Sequence, residues 1–153
     1  MNTNKIWTRL LMASALLALL LTTACSQEKT IKDPAEQALS EQGSIILSVL
    51  HGGDSQAVHG IMSIEAQAAM DKANRLAGGW VDVEEVIMQA AASLAGWKFE
   101  DARIFVKGGS IRGTLDGTVK YINGKPGKVH MELEQEAGAW KLRNINLETE
   151  AGT

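Results

Sequence analysis

Residues 111–133 read IRGTLDGTVKYINGKPGKVHMEL, and this stretch decides the fold. Apolar residues alternate with polar ones on both sides of a turn at residues 123–127, Asn-Gly-Lys-Pro-Gly. A period of two is typical of a strand that buries one face, and an Asn-Gly pair between two such runs is typical of a hairpin. The stretch therefore predicts two antiparallel strands with Leu115, Val119 and Met131 on the buried face.

Two further strands are predicted on either side of this hairpin, at residues 99–107 and 140–147. Glycine-containing turns separate them from the central pair. In the last strand the apolar phase shifts between Leu142 and Ile145, and such a shift indicates a β-bulge. The second half of the chain is thus expected to form a meander of about four antiparallel strands.

The first half of the domain has the periodicity of amphipathic helices. Helix starts are predicted at Asp33 (followed by Pro34), at Asp54 or Ser55, and at Asp82, because aspartate and serine cap helix N-termini. We expect three helices, ending at residues 52–53, 78–79 and 96, which are glycines. Since these helices are the only cover for the sheet, the predicted fold class is α+β. Glycines on the apolar side of the central strands would allow the sheet to curve strongly around the helices.

The N-terminus has the three parts of a secretory signal. Lys5 and Arg9 precede an apolar run, Leu10 to Leu21, and small residues then lead to Cys25, which is the only cysteine. Twelve residues of helix reach about 18 Å, less than the roughly 30 Å of a bilayer core. Cleavage is therefore favoured over an uncleaved anchor, which stays open as an alternative, as does a plain secretory signal with an incidental thiol.

The residues Thr22-Thr23-Ala24-Cys25 resemble the lipobox of bacterial lipoproteins, although the family prefers leucine where Thr22 stands. The resemblance implies cleavage after Ala24, lipid (including palmitate) on Cys25, and attachment to a membrane. Ser26 follows the cysteine, which by the same resemblance favours the periplasmic face of the outer membrane over the inner membrane.

The expected organisation is a signal peptide (1–24), a tether near the lipid (25–33), one α+β domain (34–148) and a C-terminal tail (149–153). Lys and Arg number 15 and Asp and Glu number 18, and residues 1–24 hold two basic residues and no acidic one. The mature chain would carry a net charge of −5. This mildly acidic balance argues against a nucleic-acid partner.

The strand residues 119–125 and the closing Gly138-Ala139-Trp140-Lys141-Leu142 resemble the nuclear transport factor 2-like superfamily. More narrowly, residues 35–147 are similar to small bacterial lipoprotein domains of that cone-shaped, cystatin-like fold. The resemblance implies a curved sheet wrapped around helices, with a pocket at the open end. No acidic residue in the apolar face matches a catalytic dyad of that family, so no catalytic residue is implied.

Candidate chemistry is sparse. The three histidines, His51, His59 and His130, lack the spacing of a metal site, and no cofactor motif occurs. His130 is predicted on the polar face of its strand. Glutamates 132, 134 and 136 alternate along the same strand, and we interpret them as a solvated row that protects a sheet edge.

A candidate pocket is placed between Tyr121, Met131, Trp140 and the second and third helices, with ordinary core packing as the alternative for these residues. The preferred hypothesis is a non-enzymatic binding or interaction module. Its partners would be the membrane through Cys25, an envelope protein, a second copy, or a small apolar ligand. The alternatives are a small-molecule enzyme of isomerase or hydrolase type and a periplasmic inhibitor or immunity protein.

Overall fold

The computed structural model describes residue 31 and residues 33–150. The predicted signal peptide, the predicted lipidation site Cys25 and most of the predicted tether lie outside the described residues. The described part contains four helices followed by a four-stranded antiparallel sheet. The helices are α1 (Pro34–Gly52), α2 (Ser55–Ile61), α3 (Ile64–Leu76) and α4 (Val83–Ala92). The strands are β1 (Leu94–Lys107), β2 (Ser110–Tyr121), β3 (Pro126–Glu136) and β4 (Ala139–Thr149), and they lie in the order β1-β2-β3-β4.

The helix starts agree with the capping signals in the sequence. Asp33, Asp54 and Asp82 each lie immediately before a helix, and each carboxylate accepts hydrogen bonds from the backbone N–H groups two and three residues ahead. These bonds satisfy donors that would otherwise have no partner in the first helical turn. The α+β class and the four antiparallel strands are therefore confirmed.

The prediction of three helices is wrong, because the second predicted helix is broken into α2 and α3. Met62 forms a parallel bridge with Leu142, and the Ser63 N–H donates to the Leu142 carbonyl at 2.8 Å. The Ser63 hydroxyl then accepts from the Ala66 N–H and caps α3. Pairing with the edge of β4 thus outweighs the continuous helical periodicity of the sequence, as tertiary contacts often outweigh local propensity.

Helix α1 lies along β2 and runs in the same direction. Leu39 packs beside Gly113, where an added Cβ would lie 2.6 Å from Leu39 Cδ2. Four residues later, Gly43 faces Leu115, and the ring centroids of His51 and Trp97 are 6.3 Å apart near the end of the helix. Glycine at the facing positions lets helix and sheet approach closely.

The core lies between α1 and the sheet and extends under α2 to α4. Its buried members include Leu39, Leu47, Leu50, Leu94, Leu115, Met131, Leu133 and Leu142. The predicted bulge in β4 is confirmed: Glu132 pairs with Asn144 and Leu133 pairs with Leu142, so Arg143 is the extra residue. A bulge re-aims side chains, and here it sets the direction of Arg143.

Candidate functional site

The three residues of the predicted pocket lie at different levels of the sheet. Met131 is fully buried, opposite Leu115 of β2. Tyr121 contacts the position of Gly127 near the start of β3, whereas Trp140 pairs with Gln135 near its end. Eight strand residues, about 26 Å, separate those two levels. The structure therefore does not bring Tyr121 and Trp140 together, and Cys25 lies outside the described residues.

An apolar groove is present instead between α3, α4 and β4, with a volume of about 270 Å³. Along α3, the wall is built from alanines at positions 66, 69 and 73, which recur at helical spacing. Their small side chains leave space against the strand. The remaining lining residues are Met62, Met70, Val83, Ile87, Leu142, Arg143, Asn144 and Ile145.

The groove leaves apolar side chains accessible to solvent. Ala69 and Ala73 are exposed, and Ile87 and Ile145 are only half-buried. Trp80, in the turn that joins α3 to α4, is 91% exposed but is not among the residues that line the groove. Exposed apolar surface that is contiguous, rather than scattered, marks binding sites in soluble domains.

Arg143 holds one rim of the groove in place. Its Nη1 donates to Glu132 Oε2 at 2.7 Å, and its Nε donates to Glu65 Oε2 at 3.0 Å. Glu65 is in the first turn of α3, so the guanidinium ties the start of this helix to β3 and β4. The hydrogen bond from Arg143 lowers the pKa of Glu65, and the hydrogen bond to Glu65 raises the pKa of Arg143. Both shifts favour the charged pair.

The interpretation of Glu132, Glu134 and Glu136 as a row that protects a sheet edge is wrong. These residues are in β3, which lies between β2 and β4. Glu132 pairs with Arg143, as described above. Glu134 is 8% exposed and lies 3.6 Å from Arg112 Nε, and Glu136 accepts a hydrogen bond from the Ile64 N–H at 2.9 Å. Each of the three therefore joins β3 to another element.

A second, polar cleft of about 440 Å³ lies on the polar side of the sheet. His130 is there, as predicted, and its Nδ1 is 2.7 Å from Asp116 Oδ1 on the neighbouring strand. This pair was not predicted from the sequence, although a hairpin centred on Asn123 places residues 116 and 130 opposite each other. Both side chains are substantially exposed, at 39% for His130 and 57% for Asp116. An ion pair this exposed to solvent contributes little to the free energy of unfolding.

Within residues 33–150, no group of three acidic, histidine or cysteine side chains is placed to hold a metal ion. No helix of this same part is long and apolar enough to cross a membrane. Comparison of the chain with protein families, with curated proteins and with solved structures finds no match. The two resemblances described above therefore depend on the quoted residues alone.

Proposed function

We propose that the protein is a non-enzymatic envelope lipoprotein whose groove binds a small apolar ligand. In this proposal, lipid on Cys25 holds the chain to the periplasmic face of the outer membrane. The domain belongs to the nuclear transport factor 2-like, cystatin-like group, with a strongly curved sheet. The position of Cys25 after the apolar run, the order of the elements and the groove support these statements.

The groove between α3, α4 and β4 is the observation that carries the proposal. Its volume of about 270 Å³ lies just below the range of roughly 300–1,000 Å³ that is typical of ligand sites. It suits an aromatic ring or a short aliphatic chain. The half-buried Ile87 and Ile145 in its lining offer apolar surface to such a ligand.

The composition of the groove favours binding over acid–base catalysis. Among the described residues that line it, Arg143 is the one ionisable side chain, and it is engaged by two carboxylates. A general acid or base must be able to exchange a proton near neutral pH, which a guanidinium does not do. The isomerase or hydrolase alternative would therefore need the polar cleft of His130 and Asp116.

A fluorescence titration with N-phenyl-1-naphthylamine tests the proposed groove. The Ala69→Phe variant places an aromatic ring in the groove, and the Ala68→Phe variant places the same ring about 100° further around α3. We expect Ala69→Phe to weaken binding of the probe by at least about tenfold, which corresponds to about 1.4 kcal/mol. Ala68→Phe should bind like the parent chain. Equal affinity in all three chains would contradict the proposal.

The anchor is tested separately with the Cys25→Ser variant. A serine cannot form the thioether to lipid, so we expect the variant to leave the membrane fraction while the parent remains in it. Intact-mass measurement of the parent should show loss of residues 1–24 and the added acyl chains. A parent chain of full precursor mass would overturn the anchor.

A further inference from the structure

The end of the β1–β2 hairpin carries an exposed apolar cluster that the groove does not explain. We call Ile104, Phe105, Val106 and Ile111 the tip cluster. Val106 is 73% exposed and pairs directly with Ile111, and the other two members are 37% and 39% exposed. The turn between the strands consists of Gly108 and Gly109, so no bulky side chain shields the cluster from solvent. Ile104, Val106 and Ile111 share one face of the hairpin, and Phe105 lies on the opposite face, so both faces of the tip expose apolar side chains. Exposed apolar side chains grouped in this way indicate a contact surface.

The chain enters the described domain at the same end of the molecule. Leu39 of α1 packs beside Gly113, and α1 runs along β2 in the same direction. Pro34 is five helical residues before Leu39, about 7.5 Å, which equals roughly two residues of a strand. The start of α1 is therefore level with Ile111, one residue past the start of β2. Asp33, the last residue of the predicted tether, is therefore at the same end of the sheet as the tip cluster.

The predicted tether is short enough to keep this end close to a membrane. From Cys25 to Asp33 there are eight residue steps, which span about 27 Å at most. The tether therefore holds the end of the sheet that carries the tip cluster within about 27 Å of the bilayer, whereas the opposite end of β2 lies about 33 Å further along the strand. Lys107 is exposed beside the cluster and suits the level of the lipid headgroups. Arg103 is also exposed nearby, and its guanidinium donates to Asp101 at 3.0 Å.

We propose that the tip cluster inserts into the surface of the bilayer that holds the lipid anchor, as a second membrane contact that orients the domain. This inference depends on the proposed anchor at Cys25. Apolar side chains that enter the boundary between headgroups and acyl chains, with basic residues beside them, are a common means of membrane contact.

Two variants of the full chain, each with one cysteine added to Cys25, test the contact. Val106→Cys and Ile122→Cys place a thiol at positions that are 73% and 71% exposed. Val106 lies near the turn of the β1–β2 hairpin, and Ile122 lies just past its other end, after Tyr121. Each chain is purified from bacterial membranes, labelled with an environment-sensitive nitrobenzoxadiazole dye, and reconstituted in vesicles of phosphatidylethanolamine and phosphatidylglycerol. We expect the dye at position 106 to shift to shorter wavelength and to be quenched severalfold more strongly by nitroxide-labelled lipid than the dye at position 122.

The parent chain, without an added cysteine, separates the two proposals. If Cys25 is lipidated, its sulfur is blocked and the parent takes up no dye. Equal quenching of the dye at positions 106 and 122 would then overturn the tip contact but not the anchor. If the parent is labelled at Cys25, the anchor is absent and both proposals fall. Because both substituted side chains are exposed, neither variant removes a core contact.

Discussion

The helices cover the sheet in two places that are packed differently. We call them the α1 wall, formed by α1, and the α3–α4 wall, formed by α3 and α4. On one side, α1 lies close against the strands, with Leu39, Leu47 and Leu50 fully buried and glycines at the points of contact. On the other side, α3 and α4 face β4 across small alanine side chains, and a groove of about 270 Å³ remains. Helix α1 buries five residues, whereas α3 buries only Ala66 and Met70 and lines the groove mainly with alanines. This difference indicates that the α1 wall stabilises the fold, whereas the α3–α4 wall keeps apolar surface available for a ligand.

The largest expected effect compares one residue from each wall. Leu39→Ala removes a fully buried side chain from the α1 wall and should reduce the free energy of unfolding by about 2–5 kcal/mol. Ile87→Ala, at the half-buried groove, should reduce it by only about 1 kcal/mol. Urea denaturation of both variants measures the two values. Equal losses of unfolding free energy in the two variants would contradict the difference in packing between the two walls.

A methyl group added at Gly113, where α1 approaches β2 closely, tests how tightly the α1 wall is packed. In Gly113→Ala the new Cβ would lie 2.6 Å from Leu39 Cδ2, and Leu39 is buried and cannot move aside freely. We expect a loss of about 1–3 kcal/mol in the free energy of unfolding from this overpacking. Gly96→Ala in β1 is the control, because nothing lies within 4 Å of its Cβ position. The thermal midpoints of the two variants should differ clearly, and similar midpoints would argue against close packing of α1.

The α3–α4 wall should be sensitive to acid through Glu65. The hydrogen bond from Arg143 lowers the pKa of Glu65 below its ordinary value of 4.5, so the folded state favours the ionised carboxylate. The stabilisation is fully present above the ordinary pKa and is lost as the pH falls through the lowered one. The parent should therefore be more stable than Glu65→Gln at about pH 7, with the difference shrinking toward about pH 3.

Urea titrations at both pH values measure that difference, and Glu41→Gln on the exposed side of α1 is the control. A difference between the parent and Glu65→Gln that stays constant with pH would show that the Arg143 contact does not act through the ionised form.

The smallest effect on stability is expected at Trp80, since its side chain is 91% exposed. Trp80→Ser should change the free energy of unfolding by no more than about 0.5 kcal/mol. If the groove extends over this residue, the variant should nevertheless bind N-phenyl-1-naphthylamine more weakly than the parent. A large loss of stability would instead mean that Trp80 packs in the fold.

Local signals in the sequence predicted much of the fold. Helices α1, α2 and α4 begin after the aspartates that predicted them. Strands β2 and β3 form where apolar and polar residues alternate, and the phase shift before Ile145 indicates the bulge at Arg143. These features depend on neighbouring residues, which a sequence displays directly. The break at Met62 and Ser63 depends on backbone pairing with Leu142, about eighty residues away, and no local pattern reports it.

Less of the candidate site than of the fold could be predicted from the sequence. Alternation assigns Tyr121, Met131 and Trp140 to faces of the sheet, but a common face does not imply a common level. The register of the hairpins would have separated Tyr121 from Trp140. The groove could not be predicted in the same way, because its volume depends on how α3 and α4 dock against β4.

The most direct test of the central claim is a methyl NMR titration of the full chain, labelled at isoleucine and leucine methyl groups, with N-phenyl-1-naphthylamine. If the α3–α4 wall is the binding surface, the methyl signals of Ile87 and Ile145 shift with the added probe, while those of Leu39 and Leu47 keep their positions. Shifts confined to the α1 wall, or no shifts at all, would contradict the account.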